Sequence, residues 1–336
     1  MAIVRDIMSQ FELFRPATDE DALELLARYG TEAWVLAGGL DSLEWFKDRI
    51  KRPRVVVDLS GVKELRGVRE INGWLEIGAM TTLTEVVRYP AIREKFTILS
   101  QAAESAASPQ IRNQGTIGGN VSQDARCWYY RNGWTCYRAG GNMCYADTPT
   151  GMNREHAIFD ADRCVAVNPS DTAPALVAIE AQMVIRSARE TREVKAQDYF
   201  IGPGYDITRM TVLGPGDLLI AIRIPATWAG ARFYFEKVRD RKVWDFPLVN
   251  IASAAVFSGD RIDRMRLVVN AVAAHPVRLT QVEDAVRGNP QNETTADMAG
   301  RLAVAGAQPL RHNGYKVTLV RNLVKRAVRG KEEPWA

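Results

Sequence analysis

The chain has 336 residues, a net charge of +4, and 46% hydrophobic and 25% charged residues, the composition of an ordinary soluble globular protein with two or three domains. Its positive excess is spread out, with no basic run and no zinc-finger or helix-turn-helix signature, which argues against nucleic acid as a partner. No apolar run approaches the ~20 residues of a membrane span, and the start, Met1-Ala2-Ile3-Val4-Arg5-Asp6, lacks a signal-peptide pattern, so the expected location is cytoplasmic, with export beside a signal-bearing partner as the alternative.

Pro16-Ala17-Thr18-Asp19-Glu20-Asp21 reads as a helix start, with Thr18 as N-cap, acids in the first turn and Gly30 just past the end. Its apolar face is Ala22, Leu25, Leu26 and Tyr29. A short apolar strand at 33–37 stops at Gly38-Gly39 and leads into a helix around 43–50. Strands are expected at 55–59 and 74–78, which makes a small strand–helix alternation. Residues 82–107 read as mainly helical up to Ser108-Pro109. From Gln110 to about Asn168 the chain is rich in Gly, Asn, Asp and Cys. A structureless stretch of that length is unusual in a compact domain, and metal–thiolate bonds could replace the missing apolar core. A helix at 171–179 and strands at 182–187 and 217–224 follow. A boundary falls near 225–230. Beyond it, 231–238, 249–257 and 264–271 read as three strands, followed by two or three helices. The last of these, near 315–328, is basic and amphipathic and reads as a surface helix with a solvated face.

Two glycine motifs stand out. Val35-Leu36-Ala37-Gly38-Gly39-Leu40-Asp41-Ser42 ends a strand and opens a helix. Glycines there permit positive φ and bring bare backbone near a ligand, and backbone N–H groups at such a place attract phosphate. A tight turn without a ligand fits the same residues. The second motif, Ile111-Arg112-Asn113-Gln114-Gly115-Thr116-Ile117-Gly118-Gly119-Asn120, repeats the Gly-Gly pair, and two such turns could clasp the two phosphates of a dinucleotide.

All four cysteines, Cys127, Cys136, Cys144 and Cys164, fall in one window just after the second motif. Four thiolates suit an iron–sulfur cluster or a structural zinc. Zinc sites usually pair their cysteines as C-x₂₋₄-C, and no two cysteines here are that close. Unligated thiols would be expected to scatter through cores, and in a reducing compartment clustering favours metal over disulfides. His156 reads as a loop-packing neighbour, since four cysteines already complete a ligand set. His275 and His312 carry no motif.

Several stretches occur in a telling order: Ala37-Gly38-Gly39, Ile77-Gly78-Ala79-Met80-Thr81-Thr82-Leu83, Ile111-Arg112-Asn113 with Thr116-Ile117-Gly118-Gly119-Asn120, and Pro169-Ser170-Asp171-Thr172-Ala173-Pro174-Ala175-Leu176. Phe235-Glu236-Lys237-Val238 and Asp245-Phe246-Pro247-Leu248-Val249 follow. Over essentially its whole length the chain resembles the FAD-binding medium subunit of the molybdenum hydroxylases, the xanthine dehydrogenase and carbon monoxide dehydrogenase group. The cysteine window resembles the inserted loop of 4-hydroxybenzoyl-CoA reductase and of periplasmic-type aldehyde oxidoreductases, whose medium subunit carries a [4Fe–4S] cluster besides FAD. Cys127-Trp128-Tyr129-Tyr130-Arg131 and Asn153-Arg154-Glu155-His156-Ala157-Ile158-Phe159 look most like the aldehyde oxidoreductase branch.

The resemblance implies an α+β fold: a two-subdomain FAD-binding domain (PCMH-type) at 1–226, then a C-terminal α/β flavoprotein domain at 229–332 with a three-stranded antiparallel sheet and helices. The subdomains would be about 1–60 and 61–226, with the iron–sulfur loop at about 124–168. Ala37, Gly38 and Gly39 would meet the FAD pyrophosphate, Leu40, Asp41 and Ser42 would extend that turn, and Leu36 before it would also bind the cofactor. Thr116, Ile117, Gly118, Gly119 and Asn120 would form a second wall, and Asp171 and Lys237 would stand near the cofactor. The usual pattern is Ala-Gly-Gly-Thr-Asp-Leu, so Leu40 removes a hydroxyl that Ser42 supplies two positions on. On the residues alone, Asp171 also reads as a helix cap and Lys237 as a surface lysine. The resemblance further implies that Cys127, Cys136, Cys144 and Cys164 hold the [4Fe–4S] cluster. No acid–base or nucleophile set supports a catalytic centre here. The implied role is electron transfer beside a large molybdenum-cofactor subunit, a small subunit with two [2Fe–2S] clusters and a terminal acceptor. The rival reading is a non-catalytic iron–sulfur or zinc interaction module.

Overall fold

The computed structural model describes residues 8–330; the opening residues read above for a signal pattern, and 331–332 of the C-terminal domain, lie outside them. The first sheet is small and parallel, in the order β1 (Glu12–Phe14), β3 (Val55–Asp58), β2 (Ala33–Leu36). The helix Asp19–Tyr29 packs against it. Thr18 caps that helix, its Oγ1 accepting from the Asp21 N–H at 3.1 Å, and Gly30 closes it at φ 50°. The buried face is Ala22, Leu23 and Leu26; Leu25 and Tyr29 sit only half-buried at its edge. Leu26 is central to this face, with Ala22 and Leu23 on either side.

The second sheet is five-stranded and antiparallel. Its order is β4 (Val68–Ile71), β5 (Trp74–Gly78), β8 (Leu218–Pro225), β6 (Gln182–Arg186), β7 (Thr191–Lys195). Helices cover one face. The stretch expected to be helical from 82 to 107 is three short helices, Leu83–Arg88, Pro90–Lys95 and Thr97–Glu104. Pro90 breaks the first from the second, since it has no N–H and bars helical geometry at Tyr89. Thr82 and Glu85 close a capping box at the first helix.

The C-terminal sheet corrects the expectation of three strands. It has four, in the order β12 (Val277–Arg278), β11 (Arg261–Asn270), β10 (Val249–Ser258), β9 (Arg232–Val238). The added strand is two residues long, too short to show a period of two. Ile77, Leu99, Leu176, Ile222 and Trp228 share one core with Phe235, Ala252 and Val268 of this third sheet. Its other face forms a second core with the final helix, Tyr315–Arg329, through Val320, Leu323 and Val324. The sequence-level picture of a helix with one solvated face therefore covers only half of it. No described helix is long and apolar enough to cross a membrane.

Lys316, near the start of that helix, is fully buried and makes no ion pair within 4 Å among the described residues; its Nζ donates to the carbonyls of Glu155 at 2.8 Å and Ala271 at 2.7 Å. Burial pushes its pKa down to about 7. Between pH 7 and about 10 the unfolded chain then holds more protons at this lysine than the folded one, so this group's contribution to stability rises with pH in that window. We expect Lys316→Met to flatten the pH 7–9 slope of the urea midpoint by up to ~1.4 kcal/mol per pH unit. Parallel slopes in the two proteins would refute the assignment.

Candidate functional site

The two glycine motifs come together. Gln114 Nε2 donates to the Gly38 carbonyl at 2.7 Å, and a β-carbon on Gly38 would collide with the Gln114 carbonyl. Gly39 has φ +77°, a conformation glycine adopts without strain. The backbone N–H groups of Gly38, Gly39, Leu40, Asp41 and Ser42 donate to no protein acceptor among the described residues. Five consecutive open donors on a half-buried turn are what an anion needs. Trp34 Nε1 donates to Ser42 Oγ at 2.9 Å, which leaves the Ser42 hydroxyl proton free to donate. Leu40 offers only an apolar side chain, packed toward Gly115.

The second motif behaves differently from the expected phosphate turn. It forms the short helix Ile117–Ser122, and its donors are already used. Ile117 N–H donates to Thr81 O and Gly118 N–H to Ala79 O, both at 2.9 Å, and Gly119 N–H donates to Thr116 Oγ1 at 3.1 Å. Gly118 is required by close packing, because a β-carbon would strike the Ala79 carbonyl. Gly119 is exposed, and a β-carbon there would stand 3.9 Å from Ala37 Cβ, in the space between the two motifs. Asn120 ties this wall to the next segment, its Oδ1 accepting from Ser170 Oγ and Thr172 Oγ1, each at 2.7 Å.

Asp171 is not merely a cap. The capping bond at the helix Ala173–Ala178 comes from Ser170, whose Oγ accepts from the Ala173 N–H at 3.1 Å. The Asp171 carboxylate instead takes Lys237 Nζ at 2.8 Å, with both side chains almost completely buried, 5% and 2% exposed. Lys237 is thus no surface lysine; it also donates to the Ser105 carbonyl at 3.1 Å. Burial pushes the Asp171 carboxyl up, partly offset by the Lys237 ammonium. Asp171 Oδ1 is buried and lacks a donor among the described residues.

The cysteine segment carries one four-residue helix, Trp128–Arg131, and one 3₁₀ turn, Tyr137–Ala139. It is pinned by small contacts on several sides: Tyr130 and Cys136 against Trp45 and Phe46, and Ile158 in the C-terminal core. Cys127, Cys136, Cys144 and Cys164 line a single small cavity, with Arg138 and Tyr145 in its wall. Burial pushes the Cys127 thiol up to about 11 and raises Cys164 as well. Buried thiols near one another resist ionisation until a cation joins them. Arg138 is buried and held by Asp124 Oδ1, which accepts its Nε at 3.1 Å. His156 Nε2 lies 3.2 Å from Cys127 Sγ, and its Nδ1 is buried without a partner among the described residues. Burial, helped by Lys316, pushes His156 down to about 4, so its ring is neutral at neutral pH. Four cysteines and a buried arginine thus line one cavity, with the His156 imidazole beside Cys127. Sequence reasoning missed Arg138 and Asp124; their only signal was polar residues inside an otherwise irregular stretch.

An open-donor turn, a facing wall and a second domain packed alongside make a two-domain unit with one turn open to an anion. Residues 9–227 match the FAD binding domain in molybdopterin dehydrogenase, and residues 233–330 match the CO dehydrogenase flavoprotein C-terminal domain. The aldehyde oxidoreductase FAD-binding subunit of Escherichia coli K12 is 31% identical over 318 residues, covering 94% of this chain and 96% of that one. The carbon monoxide dehydrogenase medium chain of Hydrogenophaga pseudoflava is 28% identical, covering 96% and 97%. A chain of the carbon monoxide dehydrogenase of the same organism, solved without the Mo-pyranopterin moiety, superposes with a TM-score of 0.77 at 26% identity, again over 96% and 97%. The chain belongs to the family of FAD-binding medium subunits of the molybdenum hydroxylases, and it is an oxidoreductase subunit.

Proposed function

We propose that this chain is the electron-transfer subunit of a molybdenum hydroxylase complex and holds both FAD and one [4Fe–4S] cluster. A large partner would carry the molybdenum cofactor and oxidise an aldehyde or an aromatic heterocycle. A small partner with two [2Fe–2S] clusters would deliver electrons to this chain, which passes them to a terminal acceptor. Relatives described as a medium chain and a FAD-binding subunit, matched over nearly their full length, support a place in a heteromeric assembly.

Bound FAD would supply the exchange between one- and two-electron steps. The open donors from Gly38 to Ser42 would bind its pyrophosphate, and Thr116 to Asn120 would shape the facing wall. Asp171 and Lys237 would fix the joint between the two domains beside it.

The observation that carries the cluster is the single cavity lined by all four cysteines. One zinc ion, at ~2.3 Å from each sulfur, would draw four thiolates to one point. No three His, Cys, Asp or Glu side chains among the described residues are placed to hold a metal ion, so the cluster rests on the shared cavity and on the resemblance of the cysteine window. Sulfurs set around a cavity suit a core that takes one thiolate at each of four iron corners. The rival module without flavin loses its ground to membership in an FAD-binding family.

The test is the absorption spectrum of the purified chain together with its Gly119→Val variant. Flavin bands over a broad iron–sulfur shoulder are expected, and the variant should lose the flavin bands while keeping its circular dichroism. Co-expressed large and small partners should co-elute with the chain. A shoulder without flavin, or full flavin in the variant, would overturn the assignment of the site.

A further inference from the structure

The carboxylate of Asp41 is held by the cysteine segment. Its Oδ1 accepts from Arg126 Nη1 at 2.6 Å and from Arg131 Nη1 at 2.9 Å, while Oδ2 accepts from Trp45 Nε1 at 2.9 Å. The same two guanidinium groups reach Glu44, at 3.2 and 2.8 Å. Arg131 is only 11% exposed and lies 4.0 Å over the Trp45 ring. Arg126 lies 4.3 Å over the Phe246 ring, which belongs to the C-terminal domain. The two arginines flank Cys127, yet they stand 85 and 90 residues along the chain from Asp41.

We propose that Arg126 and Arg131 are positioning residues for FAD, so that the phosphate turn is held in its binding shape by the cysteine segment folded against it. This rests on the FAD reading of the turn and not on the identity of any metal. A turn whose five N–H groups stay open for an anion cannot be fixed by hydrogen bonds from those groups. Its shape must come from other contacts, and Asp41 supplies the most heavily bonded of these. Pairing also neutralises a carboxylate that would otherwise face the entering phosphates. Each guanidinium spans the two carboxylates, one Nη on Asp41 and the other on Glu44, so the planar fork gives direction as well as charge. Binding coupled in this way is reciprocal, so FAD must order the cysteine segment by the same factor by which that segment favours FAD.

The experiment uses the full chain, stripped of flavin and titrated with FAD by flavin fluorescence. Arg126→Met with Arg131→Met should bind FAD about tenfold or more weakly, within the ~5–150-fold range of coupled sites. Asp41→Asn, which keeps its shape and its bond from Trp45, should lose a similar factor, and Arg131→Lys should recover part of it. Limited proteolysis supplies the reciprocal readout. FAD should slow cleavage between residues 124 and 168 in the unchanged chain and not in the double variant. Unchanged FAD affinity in both the double variant and Asp41→Asn, or cleavage indifferent to FAD, would overturn the proposal. An unchanged chain that binds no FAD would instead sink the reading on which it rests.

Discussion

Lys237→Met should destabilise the protein by about 3–5 kcal/mol, the usual cost of leaving one partner of a buried ion pair uncompensated. The pair joins the first domain to the second: Asp171 precedes the helix Ala173–Ala178, whereas Lys237 lies on β9 of the C-terminal sheet. Removing the ammonium leaves a buried carboxylate whose Oδ1 already lacks a donor among the described residues. The charge must then protonate or drag water in, and either route costs stability. Asp171→Asn combined with Lys237→Met removes both charges and should regain most of the loss, as replacements of whole buried pairs often do. The urea midpoint is the readout, with flavin content recorded alongside, because the pair was expected near the cofactor. A loss below about 1 kcal/mol for Lys237→Met would mean that water reaches the pair and that its burial carries no weight.

Much of the fold was legible where the chain carries strong punctuation. The strand before Gly38-Gly39, the Thr18 cap and the buried strands β3, β5, β6 and β8 announced themselves through apolar runs bounded by turn residues. The edge strands β4 and β7 did not. Val68-Arg69-Glu70-Ile71 and Thr191-Arg192-Glu193-Val194-Lys195 are largely polar and exposed, because edges are held by backbone pairing and by charge rather than by burial. Across the sheet Arg69 and Arg223 both bind Glu76, at 2.9 and 2.7 Å, and Arg223 also binds Glu193. Such a ladder has no signature along the sequence.

The site divides the same way. The turn proposed for flavin could be picked out from Gly38 to Ser42, since its residues are consecutive. Its fixings could not: Gln114, Arg126 and Arg131 approach from 76 to 90 residues away. The second Gly-Gly pair shows how one motif can serve two ends. Gly118 is small so that backbone can touch backbone, and Gly119 leaves a space open. Sequence alone gives both the same reason.

Cys127→Ser, Cys136→Ser, Cys144→Ser and Cys164→Ser should each strip most of the iron and acid-labile sulfide from a chain that otherwise carries about four irons. All four cysteines line one cavity, and no further cysteine exists to take a vacant corner. Burial holds the Cys127 and Cys164 thiols above their ordinary range, so without metal the cavity is left with protonated, weakly bonded groups. The proposed metal would supply the charge that ionises them and, with it, much of the free energy that orders an irregular segment. Each variant should therefore become protease-sensitive between residues 124 and 168. On the proposed site FAD would be held by turns outside this segment and partly retained, but the loss should be uneven. Cys127 lies between the two arginines that grip Asp41, so Cys127→Ser should weaken flavin binding more than Cys144→Ser, which has no such neighbour. Iron analysis decides the first claim and flavin titration the second. Zinc in place of iron, or one cysteine whose loss leaves the iron unchanged, would remove the cluster. Equal flavin loss in Cys127→Ser and Cys144→Ser would show that the segment acts on the turn as a whole and not through its first helix.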